Sequence, residues 1–373
     1  MRGVRPKCAF TLSAVPLVGS GPCLRLCKAT ARSDFDEGSG LLFQSHQFGP
    51  RIRRTVMLRM LTSGCAALMA LGLVAGPAKG SKTIAAPAAD HILSGTQKDV
   101  SRILDDTKVP YTVSADYFVD SGNELVVKPG VTLVFAKNAG LTVQGSLKME
   151  GTAECPIICK GSSSGIGVWQ GIKVCSKATA DIEGVSISGA KEGLHLDDKV
   201  DVRKCSICKN EIGIVSKCNH YTFEDLYVCD NRGDAIQVGH PTLDHCTISR
   251  NGGNGLCGWG GCDVTGSVIT KNKKSGIDCW NGGHDVTVNG SYLEGNKQYD
   301  IHNGCGKTWD CKENYWGPAV TKMLDQKGDS VNLPRIYDRK DKPDAGLVNV
   351  SEWLKEMPAE CGAREYPGMP KKK

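Results

Sequence analysis

Aromatic residues are scarce in this chain, at 6% of its 373 positions, and no apolar run is long enough to read as a membrane span. One-sided charge is lacking as well. A net charge of +6 beside 40% hydrophobic residues fits neither a disordered chain nor a strongly basic nucleic-acid binder. Glycine, by contrast, is abundant at 45 residues. Few aromatics and many glycines suit a β-rich chain of short strands and tight turns.

The longest apolar run is Cys65-Ala-Ala-Leu-Met-Ala-Leu-Gly-Leu-Val-Ala-Gly76. It follows the basic residues Arg53, Arg54 and Arg59 and precedes the small-residue sites Gly76-Pro-Ala78 and Ala86-Pro-Ala88. Basic, apolar and small-residue regions in that order read as a secretory signal over 57–80. The protein is therefore expected to be exported, to the periplasm or the outside, with no membrane span once mature. On this reading translation starts at Met57 or Met60, and residues 1–56 do not belong to the working protein. Residues 81–108 read as a polar linker, with Asp99–Asp106 a short capping helix.

From about residue 180 the chain repeats every ~21 residues. Cys205-Ser-Ile-Cys-Lys-Asn-Glu-Ile-Gly-Ile214 aligns with Cys246-Thr-Ile-Ser-Arg-Asn-Gly-Gly-Asn-Gly-Leu256 and with Ser267-Val-Ile-Thr-Lys-Asn-Lys-Lys-Ser-Gly-Ile277. Asparagines recur at 210, 231, 251, 272 and 296. Each unit holds short strands with alternating apolar positions joined at an asparagine turn, and one unit cannot bury its apolar face alone. The units must stack, their strands parallel and about 4.8 Å apart. Asparagine suits the turn by tolerating a left-handed backbone and by bonding to the next rung. A leucine-rich consensus is missing, and a β-propeller needs about twice this period. The expected fold is all-β, a right-handed parallel β-helix over 109–317. Residues 318–373 form a C-terminal cap and basic tail, with a short helix after Asn349 whose Glu352 has capping-box spacing.

Leu125-Val-Val-Lys-Pro-Gly-Val-Thr-Leu133, Leu141-Thr-Val-Gln-Gly-Ser-Leu147, Gly151-Thr-Ala-Glu-Cys-Pro-Ile157 and Trp169-Gln-Gly-Ile172 resemble the opening rungs of bacterial pectate-lyase-like β-helix proteins. Asn314-Tyr-Trp-Gly317 and Val350-Ser-Glu-Trp-Leu354 resemble their closing segments. The resemblance covers roughly 109–354 and implies an architecture shared by lyases, hydrolases, epimerases, adhesins and proteins without known activity. Specific active-site patterns are missing. Gly233-Asp234, Asp278 and Gly239-His240 are only fragments of the polygalacturonase pattern, and no Arg-Ile-Lys or Asp-Pro-His-Asp occurs.

In each Gly-Ile-x the isoleucine points inward, so the next residue faces solvent. That position reads Lys173, His195, Val215, Gln237, Cys257, Asp278 and His302. This polar row is either an ordinary solvated face or the site of function. As a site, Asp278 beside His302 would serve as an acid–base pair, with Asp234 or His195 assisting. Trp259 and Trp280 share a register and either form a sugar-binding platform beside Lys173 and Gln237 or cover their own loops. Cys218, His240, Cys262, His284 and Cys305 recur at intervals of 21 or 22. They form either a ladder of zinc or copper ligands or plain interior stacking. NosD-type accessory proteins of nitrous oxide reductase share the fold and a link to copper. Cys208 and Cys229 occupy one register on adjacent rungs, within disulfide reach. Cys155 and Cys159 are a second pair or two inward-facing thiols.

Three functions follow in order of support: an exported protein binding polysaccharide or cell-surface glycan without strong catalysis; a polysaccharide lyase, hydrolase or epimerase; and a metal-handling protein. The sequence leaves open whether any cofactor is bound.

Overall fold

A computed structural model describes residues 89–198, 200–280 and 285–369, with Trp280 described by its backbone alone. All of these lie in the second of the chain's two units, Lys82–Lys373. The signal segment and the upstream residues 1–56 lie outside the described residues.

The strands stack as three parallel faces. A typical turn lays Thr222–Glu224 on face 1, Tyr227–Cys229 on face 2 and Ile236–Gly239 on face 3. The next turn repeats this with Thr242–Asp244, Thr247–Ser249 and Leu256–Trp259, each parallel to its predecessor. Among the described residues face 1 is an eleven-stranded sheet. Faces 2 and 3 form one nineteen-stranded network, because the strand Tyr111–Val119 pairs into both. The chain is the parallel β-helix that its periodicity predicts.

Alternation explains the core. On each short strand the middle residue points inward: Phe223, Leu243, Val264 and Val288 on face 1, and Val228, Ile248, Ile269 and Leu293 on face 2. Ile236, Leu256, Ile277 and Ile301 close the ring from face 3. All are buried, and a fully buried side chain of this size contributes roughly 1.5–3 kcal/mol.

At the corner between faces 2 and 3 the asparagines form a hydrogen-bonded ladder inside the solenoid. Asn231 Oδ1 accepts the main-chain N–H of Asn210 at 2.8 Å, and Asn251 Oδ1 accepts that of Asn231 at 3.1 Å. Asn272 and Asn296 continue the series at 3.0 Å each. The Nδ2 groups of Asn210, Asn231, Asn251, Asn272 and Asn296 donate to carbonyls of Ile187, Ile207, Val228, Ile248 and Ile269. Bonding to the next rung is thus as expected, but the left-handed residue is not the asparagine. It is the one before: Lys209, Asp230, Arg250 and Lys271 have φ of 54–61°. That geometry turns the asparagine side chain into the corner. A second, shorter ladder at the corner between faces 1 and 2 runs through Ser267 and Ser291, whose Oγ atoms accept from the N–H of Cys246 and Ser267.

The ends depart from expectation. Ser101–Leu104 is a strand paired with Glu124–Val127, not a capping helix, because its alternation matches that of the rung above. The N-terminal opening is closed by Gln97, buried and donating to the carbonyls of Asp99 and Glu124, and by Arg102 placed over the Tyr117 ring. Among the described residues no helix follows Asn349. Its side chain accepts the Ser351 N–H, and Glu352 takes φ 59°, which a helix excludes. The helix is instead Gly317–Lys327, with proline in its first turn and Gly328 just beyond its end. Ile336–Tyr337 and Val348–Asn349 add last strands to faces 3 and 1. The tail then runs back along the outside, where Arg364 grips the buried carboxylate of Asp225 through Nε and Nη2, each at 2.9 Å.

The asparagine ladder ends on a carboxylate. Asp300 Oδ1 accepts both the N–H and Nδ2 of Asn296, at 3.1 and 2.8 Å. Burial pushes its pKa from 3.8 up to about 6, against the opposing pull of those hydrogen bonds. A carboxyl whose folded pKa is raised binds its proton more tightly in the folded chain, so it costs stability as pH rises from about 4 to about 6. Asp300→Asn keeps the acceptor and removes the charge. The variant's stability relative to wild type should rise across that window by up to about 3 kcal/mol, measured by urea unfolding at pH 4 and pH 7. Parallel pH dependences in the two proteins would refute this.

Candidate functional site

The outward residues of face 3 form one in-register row: Thr142, Lys173, His195, Val215, Gln237, Cys257, Asp278, His302 and Tyr337. All are partly exposed. Two clusters stand at its two ends.

The first surrounds His195. Its Nδ1 lies 2.7 Å from Glu192 Oε2 and its Nε2 lies 2.9 Å from Asp197 Oδ1. Lys173 Nζ reaches the other Asp197 oxygen at 3.1 Å. Burial alone would raise the Asp197 carboxyl, but hydrogen bonds from Lys173 and His195 outweigh it and hold the group below its ordinary value. The imidazole thus links Glu192 to Asp197, and Asp197 to Lys173, in one chain of polar contacts. Beside it a concavity of about 390 Å³ is lined by Asp116, Thr142, Gln170, Lys173, Lys191 and His195, among others.

The second cluster joins Asp278 and His302, as the register predicts, with Oδ1 and Nδ1 at 2.8 Å. Among the described residues His302 Nε2 has no hydrogen-bond partner. The rings of Tyr299 and Tyr337 flank the imidazole, with centroids 5.5 and 4.7 Å away. Face 3 thus ends in a wall of three rings beside a carboxylate.

The proposed assistance from Asp234 or His195 fails on geometry. His195 is five rung steps from His302, or about 24 Å at 4.8 Å per step. Asp234 is not on the row at all; it sits at the asparagine corner, where Oδ1 accepts the Asn254 N–H at 2.6 Å. Gln237 and Lys173 are on the row, separated by His195 and Val215.

Trp259 pairs in register with Trp280 along the backbone. Its indole is half-buried over Gly239, where an added Cβ would lie 2.7 Å from Nε1. Trp259 thus covers its neighbouring rung, and the Trp280 side chain lies outside the described residues.

Among the described residues Cys218, His240, Cys262 and Cys305 do not line up as one ladder. Cys262 opens a strand of face 1 in register with Val286, and its sulfur is buried 3.9 Å from that of Cys279. His240 lies one position earlier on its rung, its ring 4.8 Å from His220. Cys218 Sγ turns to the Asp197 carbonyl, and Cys305 Sγ to Asn303 Oδ1. His284 lies outside the described residues. Among the described residues no three metal-ligating side chains converge. Cys208 and Cys229 are in register with Cα atoms 4.7 Å apart and are joined as a disulfide. Cys155 and Cys159 are unpaired: the first is exposed in a turn, and the second faces the core from Ile157–Gly161.

Sequence reasoning missed Glu192, Asp197, Tyr299 and Tyr337. Asp197 had a signal, since a residue two places from His195 on a strand shares its side of the sheet. Tyr337 had none, because it comes from a segment outside the repeat.

Residues 158–293 match the family model for the right handed beta helix region. With the parallel solenoid, this is consistent with pectate-lyase-like right-handed β-helix proteins. No curated protein and no solved structure matches the chain.

Burial pushes the thiols of Cys205 and Cys246 up to about 12, so neither supplies a reactive thiolate near neutral pH. In the native protein a thiol reagent should label exposed Cys155 and leave Cys205, Cys246, Cys262 and Cys279 untouched until denaturant is added. Peptide mass spectrometry reads the sites, and rapid native labelling of Cys262 would contradict its place in the core.

Proposed function

We propose that the protein is exported and binds an extended polysaccharide or cell-surface glycan along face 3. A β-helix supports a carbohydrate-related or surface role at the level of its family; the finer reading is ours. The observation that carries it is the unbroken row from Thr142 to Tyr337, with a polar concavity at one end and a cluster of three rings at the other. Sugar rings present an apolar C–H surface that packs on Tyr299, His302 and Tyr337, while Lys173, Gln237 and Asp278 offer partners for hydroxyls. A flat strand face leaves a linear polymer room to lie along the solenoid axis.

The Asp278–His302 pair favours a second reading, cleavage of the bound glycan. On this reading Asp278 orients the ring through Nδ1, and Nε2 exchanges a proton with substrate. An Asp278→Asn variant should then keep binding and lose turnover. Turnover unchanged in that variant would end this reading.

The primary test is a glycan-array screen with wild type, Lys173→Ala/His195→Ala and Tyr299→Ala/Tyr337→Ala. Wild type should capture a defined glycan, and each double variant should weaken it tenfold or more, about 1.4 kcal/mol. Folded wild type that captures nothing, or binding unmoved in both variants, would overturn the proposal.

A further inference from the structure

Face 2 carries a feature that the face 3 reading does not use. In the regular turns the corner between faces 2 and 3 is short, as at 189–191, 209–211 and 230–235. In one turn it is lengthened to 162–171, between the strands Ile157–Gly161 and Ile172–Val174. A local insertion in a repeat places a loop on the surface where binding is commonly built. This loop opens with Ser162, Ser163 and Ser164, all exposed.

The loop walls a concavity of about 580 Å³, lined also by Val134, Lys160, Ser188 and Lys209. Lys160 projects outward from face 2, in register between Val134 and Ser188. Lys209 follows the disulfide-bonded Cys208 and holds the left-handed corner at φ 61°. Every charged side chain in the lining is a lysine, and no carboxylate belongs to it. Neither Lys160 nor Lys209 forms an ion pair among the described residues, whereas Lys128, Lys148, Lys173 and Lys204 each do. Glu211, which packs against Gly167 in the same loop, is taken by Arg232 at 3.0 Å.

The frame is fixed. Ser162 N–H donates to the Phe135 carbonyl at 2.7 Å and Val168 N–H to that of Gly189 at 2.8 Å. Trp169, stacked on Phe135 at 3.9 Å, donates from Nε1 to the Ser188 carbonyl. The Lys209 carbonyl accepts the Gly189 N–H at 3.1 Å, tying its corner to the base of the loop. Two unpaired ammonium groups and four hydroxyls on a held frame form a donor-rich bowl with nothing negative inside it. Oxyanions are the ligands that such a set satisfies, because each oxygen accepts charge-assisted hydrogen bonds.

We propose that this bowl is a second binding site that takes the sulfate or carboxylate group of an acidic saccharide. The bowl is larger than one oxyanion, leaving space for the sugar that carries it. The other end of the same loop, Gln170 and Gly171, lines the His195 concavity on face 3, so an acidic glycan held in the bowl lies one corner away from that row. The proposal stands apart from the face 3 reading, since Lys160 and Lys209 lie off the row.

The test is calorimetry with full-length protein against dextran sulfate, polygalacturonate and neutral dextran, and against inorganic sulfate with chloride at matched ionic strength. The variants are Lys160→Gln/Lys209→Gln and, as a charge-matched control outside both sites, Lys128→Gln/Lys148→Gln. Wild type should bind at least one acidic polymer and not neutral dextran, and binding should weaken with salt. Loss of two charge-assisted contacts should weaken it tenfold or more in the lysine variant, with unchanged melting temperature and little change in the control. Binding of sulfated polymer alone assigns sulfate, and of polygalacturonate alone, carboxylate. Binding of inorganic sulfate but neither polymer, binding of neither polymer, or binding that survives in the lysine variant would each overturn the proposal. Acidic-polymer binding lost in Lys173→Ala/His195→Ala but kept in the lysine variant would place the ligand on face 3 instead.

Discussion

The whole molecule depends on keeping successive turns in register, and the buried asparagine ladder enforces that. Hydrophobic stacking alone leaves a two-residue slip open, since alternation is then preserved and one isoleucine packs on another. A one-residue slip would turn every inward side chain outward. An amide buried at a fixed corner has no such freedom, because losing its partners leaves polar atoms unpaired in an apolar interior. Asn210, Asn231, Asn251, Asn272 and Asn296 thus act as a ruler along the solenoid. The outer surface inherits its order from them. His302 meets Asp278, and Cys208 meets Cys229, because the corners beside them are locked.

That dependence explains what could be read from the sequence. Wherever the repeat is regular, counting from the asparagine or the glycine–isoleucine pair gives the neighbour on the next rung, so the face 3 row and the Cys208–Cys229 register were legible. Counting failed where rung length departs from the spacing of the residues. On face 1 Thr222 pairs with Thr242 and Thr242 with Asp263, steps of 20 and 21 residues, against the 22 that separate Cys218, His240 and Cys262. Equal spacing of Cys218, His240 and Cys262 therefore did not mean equal position, and Cys262 fell into the core. The left-handed residue was misassigned for a different reason. Asparagine has the preference, but the ladder needs its side chain inward, so the strain passes to Lys209, Asp230, Arg250 and Lys271.

Residues from outside the repeat were illegible in principle. Tyr337 arrives from the segment after the helix, and Arg364 returns along the outside to Asp225 across a separation of 139 residues. No periodicity announces either contact. The same holds for the bowl on face 2, where Lys160 and Lys209 occupy different places in their turns. The regular part of the chain builds a frame, which loops, insertions and terminal segments decorate. Both proposed binding readings draw on such decorations: Tyr337 at the end of the face 3 row, and the 162–171 loop on face 2.

Asn251→Ala tests the ruler most directly. Asn251 Oδ1 accepts from both Asn231 N and Asn231 Nδ2, and its Nδ2 donates to Val228 O and to Asn272 Oδ1. Truncation leaves several of these groups buried and unpaired, at roughly 1–3 kcal/mol each. Equilibrium urea unfolding should show a loss of about 3 kcal/mol or more, far beyond the loss of one ordinary surface amide. A loss under about 1 kcal/mol would mean that apolar stacking sets the register unaided, and would contradict the account.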